Sequence, residues 1–228
     1  MFVSCVVPSA GRGLRLKSRV SKPLVKIGGI PLLIRTLKTL SEDRLIKEII
    51  LVVNKKDLAK IKNNIARYQI KKIKNIIFGG KRRQDSVKKG LKYLDKNCDL
   101  VLIHDGARPF IQRQVISKVI KEARKIGAAV AGVPLKPTVK QVSKTNYIHQ
   151  TLARDGLFEI QTPQVFRKDL ILRAYKKFGD TDATDDATLV EKLGVKVKLV
   201  RGSYSNIKIT TPEDLVFAER IAKRVSNL

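Results

Sequence analysis

The chain has 228 residues, of which 48 are Lys or Arg and 20 are Asp or Glu, so its formal net charge is +28 at pH 7. A hydrophobic content of 43% is enough for a buried core and argues against a disordered chain. No apolar run reaches the ~20 residues of a membrane span, and the N-terminal apolar stretch is too short for a signal peptide. With two cysteines and no disulfide framework, these features predict a cytoplasmic protein.

The excess of positive charge allows three interpretations. The lysines could bind nucleic-acid phosphates, attract small anionic substrates, or simply solvate the surface. Aromatic residues make up only 5% of the chain and Trp is absent, whereas proteins that stack on bases interleave aromatic and basic residues. We therefore favour the second and third interpretations and expect nucleic acid to bind only non-specifically.

Short apolar runs alternate with amphipathic segments along the first part of the chain. The runs predict strands at residues 2–7, 48–53, 75–78, 99–103 and 128–133. Helical periodicity occurs at residues 31–40, 58–68, 85–94 and 114–126, with Asp57 expected to cap the second of these helices. Strands that alternate with helices predict a parallel sheet with right-handed crossovers.

The alternation stops at residues 134–155, where two strand-like runs, 138–142 and 147–152, flank a turn at 143–146. We expect a hairpin here that packs either on a second subunit or on its own domain, because an isolated hairpin is marginally stable. The α/β character returns with residues 160–166 and a helix at 168–178. The rest of the chain predicts a helix at 187–193, strands at 196–200 and 206–210, and a final helix that starts with Thr211 and Pro212.

Three loops that follow predicted strands combine glycine with charged residues, at residues 11–15, 79–83 and 104–108. Because the carboxyl ends of parallel strands meet at one edge of a sheet, we expect these loops to form one ligand site. The glycines let the backbone approach a phosphate, and Arg12, Arg15 and Lys22 add positive charge. Neither the dinucleotide fingerprint nor the P-loop is complete. Leu16 stands where the third glycine of the fingerprint would be, and no Gly-Lys-Ser/Thr tripeptide follows to close a P-loop.

Asp105 ends an apolar strand beside these loops and is a candidate Mg²⁺ ligand, although a loop aspartate also commonly caps a turn. His104 is expected to be a packed residue, and no nucleophile–base pair stands out. Thr184 could bind a ligand, but it is equally well explained as the cap of the helix that follows. The remaining basic candidates lie at loops or strand ends, namely Arg83, Arg108, Arg154 and Lys208. These residues predict an enzyme that binds a nucleoside triphosphate with Mg²⁺, and leave kinase, nucleotidyltransferase and phosphatase open.

Six segments in chain order carry a resemblance to a known family: residues 8–15 with 21–23, then 79–87, 104–109, 161–164, 184–187 and 206–210. The first is similar to the signature of sugar-phosphate nucleotidyltransferases, and the full set resembles the 2-C-methyl-D-erythritol 4-phosphate cytidylyltransferase family. The resemblance implies an α/β fold: one Rossmann-like three-layer nucleotidyltransferase domain over residues 1–228, with a mostly parallel sheet and an inserted β-hairpin arm at 134–155.

The implied reaction transfers the cytidylyl group of CTP to 2-C-methyl-D-erythritol 4-phosphate, with release of pyrophosphate, in the non-mevalonate isoprenoid pathway. Ribitol 5-phosphate cytidylyltransferase is the alternative on the same fold. A basic nucleic-acid-binding protein is the alternative of another class.

The resemblance also implies a role for each matching residue. The catalytic cations would be Arg15, Lys22 and Lys208. The nucleotide would be bound by Pro8, Ala10, Gly11, Gly13, Gly79, Gly80, Arg83 and Ser86. The substrate would be bound by Asp105, Arg108, Thr138, Arg154, Thr162, Thr184 and Lys208. Asp105 would also hold Mg²⁺, and the arm would cross to the partner of a homodimer, bringing Thr138 and Arg154 to the other subunit's substrate.

Overall fold

The structure is a computed structural model and describes residues 1–226. Its strands are β1 (Val3–Ser9), β2 (Lys26–Ile27), β3 (Ile30–Pro31), β4 (Ile46–Val53), β5 (Ile73–Phe78), β6 (Leu100–Ile103), β7 (Ala128–Pro134), β8 (Val139–Val142), β9 (Ile148–Leu152), β10 (Phe158–Arg167) and β11 (Lys198–Arg201). Its helices are α1 (Leu32–Glu42), α2 (Leu58–Arg67), α3 (Arg83–Gly90), α4 (Arg113–Ile126), α5 (Lys168–Phe178), α6 (Asp186–Glu191) and α7 (Pro212–Ser226). Within this range no helix is both long and apolar enough to cross a membrane.

Seven strands form the central sheet in the order β11-β7-β10-β6-β1-β4-β5. Neighbouring strands are parallel except that β10 runs antiparallel to β6 and β7. The expectation of a mostly parallel sheet is confirmed, with β10 as the exception. This strand follows the hairpin rather than a crossover helix, so the connection that forces parallel pairing is missing. The central position of β1 explains its continuous apolar run, since both of its edges and both of its faces are covered.

Helices cover both faces of the sheet, which gives the predicted three layers. On one face α1, α2 and α4 bury residues such as Leu37, Ile61 and Val119 against β1 and β4. On the other face α3, α5 and α6 contribute residues such as Val87 and Leu189 to a second cluster. A smaller cluster packs α7 against the start of α1. The rigid sheet between these layers fixes the positions of the loops at its edge.

The hairpin arm is confirmed as β8 and β9, which pair with each other in a separate two-stranded sheet. The turn closes where the Ser143 N–H donates to the Tyr147 carbonyl at 2.9 Å. Asn146 has φ of 63°, a left-handed conformation that Asn tolerates better than most residues. The arm is largely exposed, including the apolar side chains of Val142, Tyr147 and Ile148.

The strand predicted at residues 206–210 does not form. Instead, this segment makes isolated contacts: the Ile209 N–H donates to the Ala107 carbonyl at 2.9 Å, and Lys22 Nζ donates to the Ile209 carbonyl at 3.0 Å. The alternating apolar residues of this segment therefore belong to an extended stretch that crosses the edge of the sheet, and not to a strand that pairs with a neighbour. This extended stretch carries Lys208 to the site described below.

One predicted helix cap is wrong, and one residue considered as a possible cap does not act as one. Asp57 makes no capping hydrogen bond to α2; Asn54 caps a short 3-10 helix that precedes it. At α6 the capping side chain is Asp185, which accepts the Thr188 N–H at 3.0 Å, and not Thr184. The backbone dihedrals at each helix start decide which side chain can reach an N–H, and these depend on the packed position of the helix.

Candidate active site

The carboxyl ends of β1, β4, β5 and β6 meet at one edge of the sheet, beside a cavity of about 1020 Å³. The three loops expected to converge do so here. Twelve of the site residues predicted from the sequence line the cavity: Pro8, Ala10, Gly11, Gly13, Arg15, Lys22, Gly79, Gly80, Arg83, Ser86, Asp105 and Lys208. The sheet thus gathers into one cleft residues that are up to 200 positions apart in the chain.

The loop after β1 depends on Gly13. Its φ is 64°, and a Cβ at this position would lie 2.9 Å from the Cβ of Lys22. A glycine is therefore needed both for the left-handed backbone and for the approach of Lys22. The residues that follow form a 3-10 turn, Leu14–Leu16, whose buried Leu16 anchors an exposed Arg15 at the cavity wall.

The loop after β5 packs closely against the first loop. A Cβ on Gly79 would lie 2.2 Å from Ala10 Cβ, so glycine is required for this approach of two backbones. The next residue, Gly80, donates its N–H to the Ser86 hydroxyl at 3.1 Å. Lys89 Nζ donates to the Gly79 carbonyl at 2.9 Å and fixes the loop to α3. Together these contacts fix the backbone of Gly79 and Gly80, which lines the cavity beside the first loop.

A chain of hydrogen bonds holds the backbone at Asp105. The Asp105 N–H donates to Thr162 Oγ1 at 3.0 Å. The His104 ring contacts Thr162 Oγ1 through Nδ1 at 3.1 Å and the Arg108 carbonyl through Nε2 at 3.2 Å. A carbonyl can only accept, so Nε2 carries the proton and Nδ1 accepts from the threonine. Burial lowers the pKa of His104 to about 4, so the ring is neutral and acts as a packed support, as expected.

The Asp105 carboxylate contacts a cation with each oxygen. Arg83 Nε lies 2.6 Å from Oδ1, and Lys208 Nζ lies 2.7 Å from Oδ2. Burial alone would raise the pKa of Asp105, but the charges of Arg83 and Lys208 outweigh it and hold this pKa well below the ordinary value. The carboxylate is therefore ionised at neutral pH.

The cavity has a strongly positive lining. Eight Arg and Lys residues line it, and Asp105 is the one carboxylate among the described residues of its wall. Burial lowers the pKa of Lys22, and the like charges of Lys208 and Arg15 lower it further. Cations packed this closely repel one another and create a field that favours a polyanion such as a triphosphate.

Comparison with known proteins identifies the family. Residues 3–224 match the family model described as IspD: 2-C-methyl-D-erythritol 4-phosphate cytidylyltransferase. The chain belongs to this family. It is 45% identical to the 2-C-methyl-D-erythritol 4-phosphate cytidylyltransferase of Syntrophus aciditrophicus over 97% of this chain and 96% of the relative.

Solved structures agree with this assignment. The 4-diphosphocytidyl-2C-methyl-D-erythritol synthase of Anaerococcus prevotii superposes with a TM-score of 0.86 at 40% identity, covering 97% of this chain and 96% of the other. The 2-C-methyl-D-erythritol 4-phosphate cytidylyltransferase of Thermus thermophilus superposes with a TM-score of 0.79 at 32% identity, covering 98% of this chain and all of the other. The family resemblance that the sequence motifs indicated is thus confirmed, and so is the predicted α/β fold.

Five residues predicted to bind substrate lie away from the cavity wall. Arg108 and Thr162 are buried. Thr162 Oγ1 accepts the Asp105 N–H at 3.0 Å, and Arg108 Nη1 donates to the Asn206 carbonyl at 2.7 Å, which ties the loop of residues 104–108 to the segment that carries Lys208. Thr138 and Arg154 are exposed at the base of the arm, and Thr184 is exposed before α6. Direct contact of these five with substrate stays a prediction for this cytidylyltransferase.

The structure also places at the cavity several residues that the sequence did not single out, among them Ser9, Asn54, Lys89 and Thr210. For two of these residues the sequence does contain an indication. Asn54 is a polar residue directly after β4, just as the polar pair His104 and Asp105 follows β6. Lys89 lies three residues after Ser86 on α3 and shares its face. The others depend on how the loops fold.

The family implies a divalent cation, and the donor set fits one. Among residues 1–226 no cluster of three or more His, Cys, Asp or Glu side chains is placed to bind a metal. Magnesium commonly uses one or two carboxylates together with oxygens of a substrate's phosphates, so an all-protein cage is not required. Asp105 supplies an ionised, hard oxygen donor at the cavity wall, where its Oδ2 lies 2.7 Å from Nζ of the exposed Lys208.

Proposed function

We propose that this chain transfers the cytidylyl group of CTP to 2-C-methyl-D-erythritol 4-phosphate and releases pyrophosphate, as a step of isoprenoid precursor synthesis. The family assignment supports this function. The observation that carries it in the structure is the meeting of Arg15, Lys22 and Lys208 around Asp105, at the end of a cavity large enough for a nucleotide. A single domain, residues 1–228, is proposed to hold the whole site.

The chemistry requires no protein nucleophile. An oxygen of the substrate phosphate attacks the α-phosphorus of CTP; the new P–O bond forms as the bond to the β-phosphate oxygen breaks, and pyrophosphate leaves with that electron pair. Arg15, Lys22 and Lys208 stabilise the charge that develops on the phosphoryl oxygens. His104, neutral and hydrogen-bonded at both nitrogens, is not available as a base.

We assign the cleft between the first two loops to the nucleotide. Pro8, Ala10, Gly11 and Gly13 form one wall, and Gly79, Gly80, Arg83 and Ser86 form the other. Exposed peptide groups on a glycine-rich wall suit both a flat base and phosphate oxygens. Arg83 contributes through its ion pair with Asp105, since its guanidinium already contacts that carboxylate.

We propose that Asp105 holds Mg²⁺ together with phosphate oxygens of the nucleotide. When bound, this cation would neutralise phosphate charge and act as a Lewis acid at the reacting phosphoryl group. Lys208 then shares Asp105 with the cation, and its charge also faces the reacting phosphates.

We propose a homodimer in which the arm completes the partner's substrate site. The support is the exposure of apolar side chains on a hairpin that pairs with no further strand within residues 1–226: Val142, Tyr147 and Ile148 are 54%, 77% and 63% exposed. Thr138 and Arg154, on this arm, would reach the partner's substrate, whereas Arg108, Thr162 and Thr184 would act within the subunit. Two buried, unpaired cysteines support a cytoplasmic location.

Pyrophosphate release by the purified protein with CTP and Mg²⁺ tests the function. We expect turnover with 2-C-methyl-D-erythritol 4-phosphate and little with ribitol 5-phosphate. A preference for ribitol 5-phosphate would keep the fold and nucleotide site but overturn the substrate. Release with neither alcohol phosphate would contradict cytidylyl transfer, and tight, salt-sensitive binding to duplex DNA would then favour a nucleic-acid-binding role.

A further inference from the structure

Arg83 lies between two carboxylates, and only one of them lines the cavity. Its Nε lies 2.6 Å from Oδ1 of Asp105, and its Nη1 lies 2.8 Å from Oδ2 of Asp186. Asp105 is part of the cavity wall, whereas Asp186 is 1% exposed and lies behind it. One guanidinium charge is therefore shared between a site carboxylate and a buried one.

Asp186 is itself held in place. The buried Tyr175 hydroxyl of α5 donates to Asp186 Oδ1 at 2.5 Å. Burial and the charge of Asp186 raise the pKa of Tyr175, so this hydroxyl keeps its proton. Asp186 is also the first residue of α6, whose start is fixed by the cap at Asp185. A continuous series of contacts thus runs from Tyr175 through Asp186 and Arg83 to Asp105.

The contact of Arg83 with a second carboxylate affects how it engages Asp105. An arginine with a single carboxylate partner favours a two-pronged contact that engages both oxygens. Here Asp186 holds Nη1, on the side of the guanidinium away from Asp105, and Nη2, the nitrogen that could join Nε in a two-pronged contact, has no hydrogen-bond partner among residues 1–226. Anchored in this way, Arg83 contacts Oδ1 of Asp105 and leaves Oδ2 to Lys208. A bidentate contact of Arg83 with Asp105 would compete with a divalent cation for Oδ2 of Asp105.

We propose that Asp186 and Tyr175 are positioning residues: they hold Arg83 in a one-pronged contact with Asp105 and so keep the second oxygen of Asp105 available to a divalent cation. This inference rests on the proposed function, in which Asp105 holds that cation. Neither residue touches the cavity, so both act through Arg83.

A matched control exists elsewhere in the sheet. Ser4 donates its hydroxyl to the buried Glu48 carboxylate at 2.5 Å, a contact of the same kind and length as that of Tyr175 with Asp186. Neither Ser4 nor Glu48 lines the cavity. Ser4→Ala therefore removes an equivalent buried hydrogen bond and reports any loss of binding that comes from weaker folding alone.

The experiment measures Mn²⁺ binding to the full chain by electron paramagnetic resonance, with a non-hydrolysable CTP analogue present. We expect Asp186→Asn to weaken Mn²⁺ binding roughly tenfold and Tyr175→Phe roughly threefold, the range of coupling between contacting residues. Ser4→Ala should bind Mn²⁺ as the unaltered protein does, although its melting temperature falls as much as that of Tyr175→Phe. The double variant should bind no more weakly than Asp186→Asn, because Tyr175 acts only through Asp186.

Unchanged Mn²⁺ affinity in Asp186→Asn and Tyr175→Phe would overturn the inference and leave the proposed function standing. Equal weakening by Ser4→Ala would also overturn it, since stability alone would then explain the effect. Additive losses in the double variant would contradict the relay through Asp186. If the unaltered protein bound no Mn²⁺ with the analogue, the metal role of Asp105 would fail first, and this inference with it.

Discussion

The hydrogen-bond chain behind Asp105 predicts how the stability of this protein depends on pH. His104 is fully buried and neutral, and its pKa falls from 6.5 to about 4. As pH drops through this window, the unfolded chain takes up a proton on this residue before the folded protein does. Because the unfolded state then binds more protons, the free energy of unfolding decreases as pH falls from about 6.5 to about 4.

The size of the effect follows from the width of the window. A difference of one proton changes the free energy of unfolding by about 1.4 kcal/mol per pH unit. Over the window from 6.5 to about 4, His104 therefore contributes a loss of about 3 kcal/mol. In His104→Asn the amide oxygen can still accept from Thr162, but the bond to the Arg108 carbonyl is lost, which costs about 1–3 kcal/mol at pH 7.

The variant lacks the titrating ring, so the two proteins should respond differently to acid. We expect His104→Asn to be the less stable protein at pH 7 and the difference to close or reverse by about pH 4.5. Urea unfolding followed by far-UV circular dichroism at several pH values measures it, since the chain has no Trp. Carboxylate titration affects both proteins alike and cancels in the difference. A difference that stays constant or widens toward pH 4.5 would refute a buried neutral His104.

Three further predictions concern the site. Asp105→Asn should lower kcat on the order of a hundredfold or more while the circular dichroism spectrum stays unchanged; a near-normal rate would remove Asp105 from the metal role. Arg154→Ala should raise the KM for the alcohol phosphate, and mixed dimers with a second inactive variant should regain activity; failure to regain it would count against an arm that acts on the partner. Gly79→Ala should lower the free energy of unfolding by about 1–3 kcal/mol, because its Cβ would meet Ala10. The control Gly11→Ala has open space around its Cβ and should change this free energy by under about 0.5 kcal/mol. Equal losses in the two variants would contradict the close packing of the two loops.

Much of the molecule could be predicted from local pattern. Apolar runs and helical periodicity placed the central-sheet strands and the helices of the first 133 residues close to their observed positions, but not the short pair β2 and β3; the hairpin arm was recognised from its turn. The loops at 11–15, 79–83 and 104–108 could be assigned to one edge because parallel strands all end there. Their glycine and basic residues indicate an anion site without reference to any distance.

Other features depended on tertiary contacts. The direction of β10, the loss of a strand at 206–210 and the caps at Asn54 and Asp185 are decided by what each segment packs against. The pairing of Arg83 with Asp186 joins residues about 100 positions apart, and nothing in the neighbourhood of either residue along the chain specifies the other.

Local sequence therefore determined which elements form and which chemical groups stand at their ends. Backbone propensity, side-chain periodicity and turn chemistry act over a few residues, and these were sufficient for the layers, the arm and the glycine-rich loops. The tertiary structure alone decided which of the charged groups face the cavity and which support it from behind. Burial and ion pairing depend on distances between segments that are remote in sequence, so Arg108 and Thr162 could be named from their motifs, but their place beneath Asp105 emerged only from the packed fold.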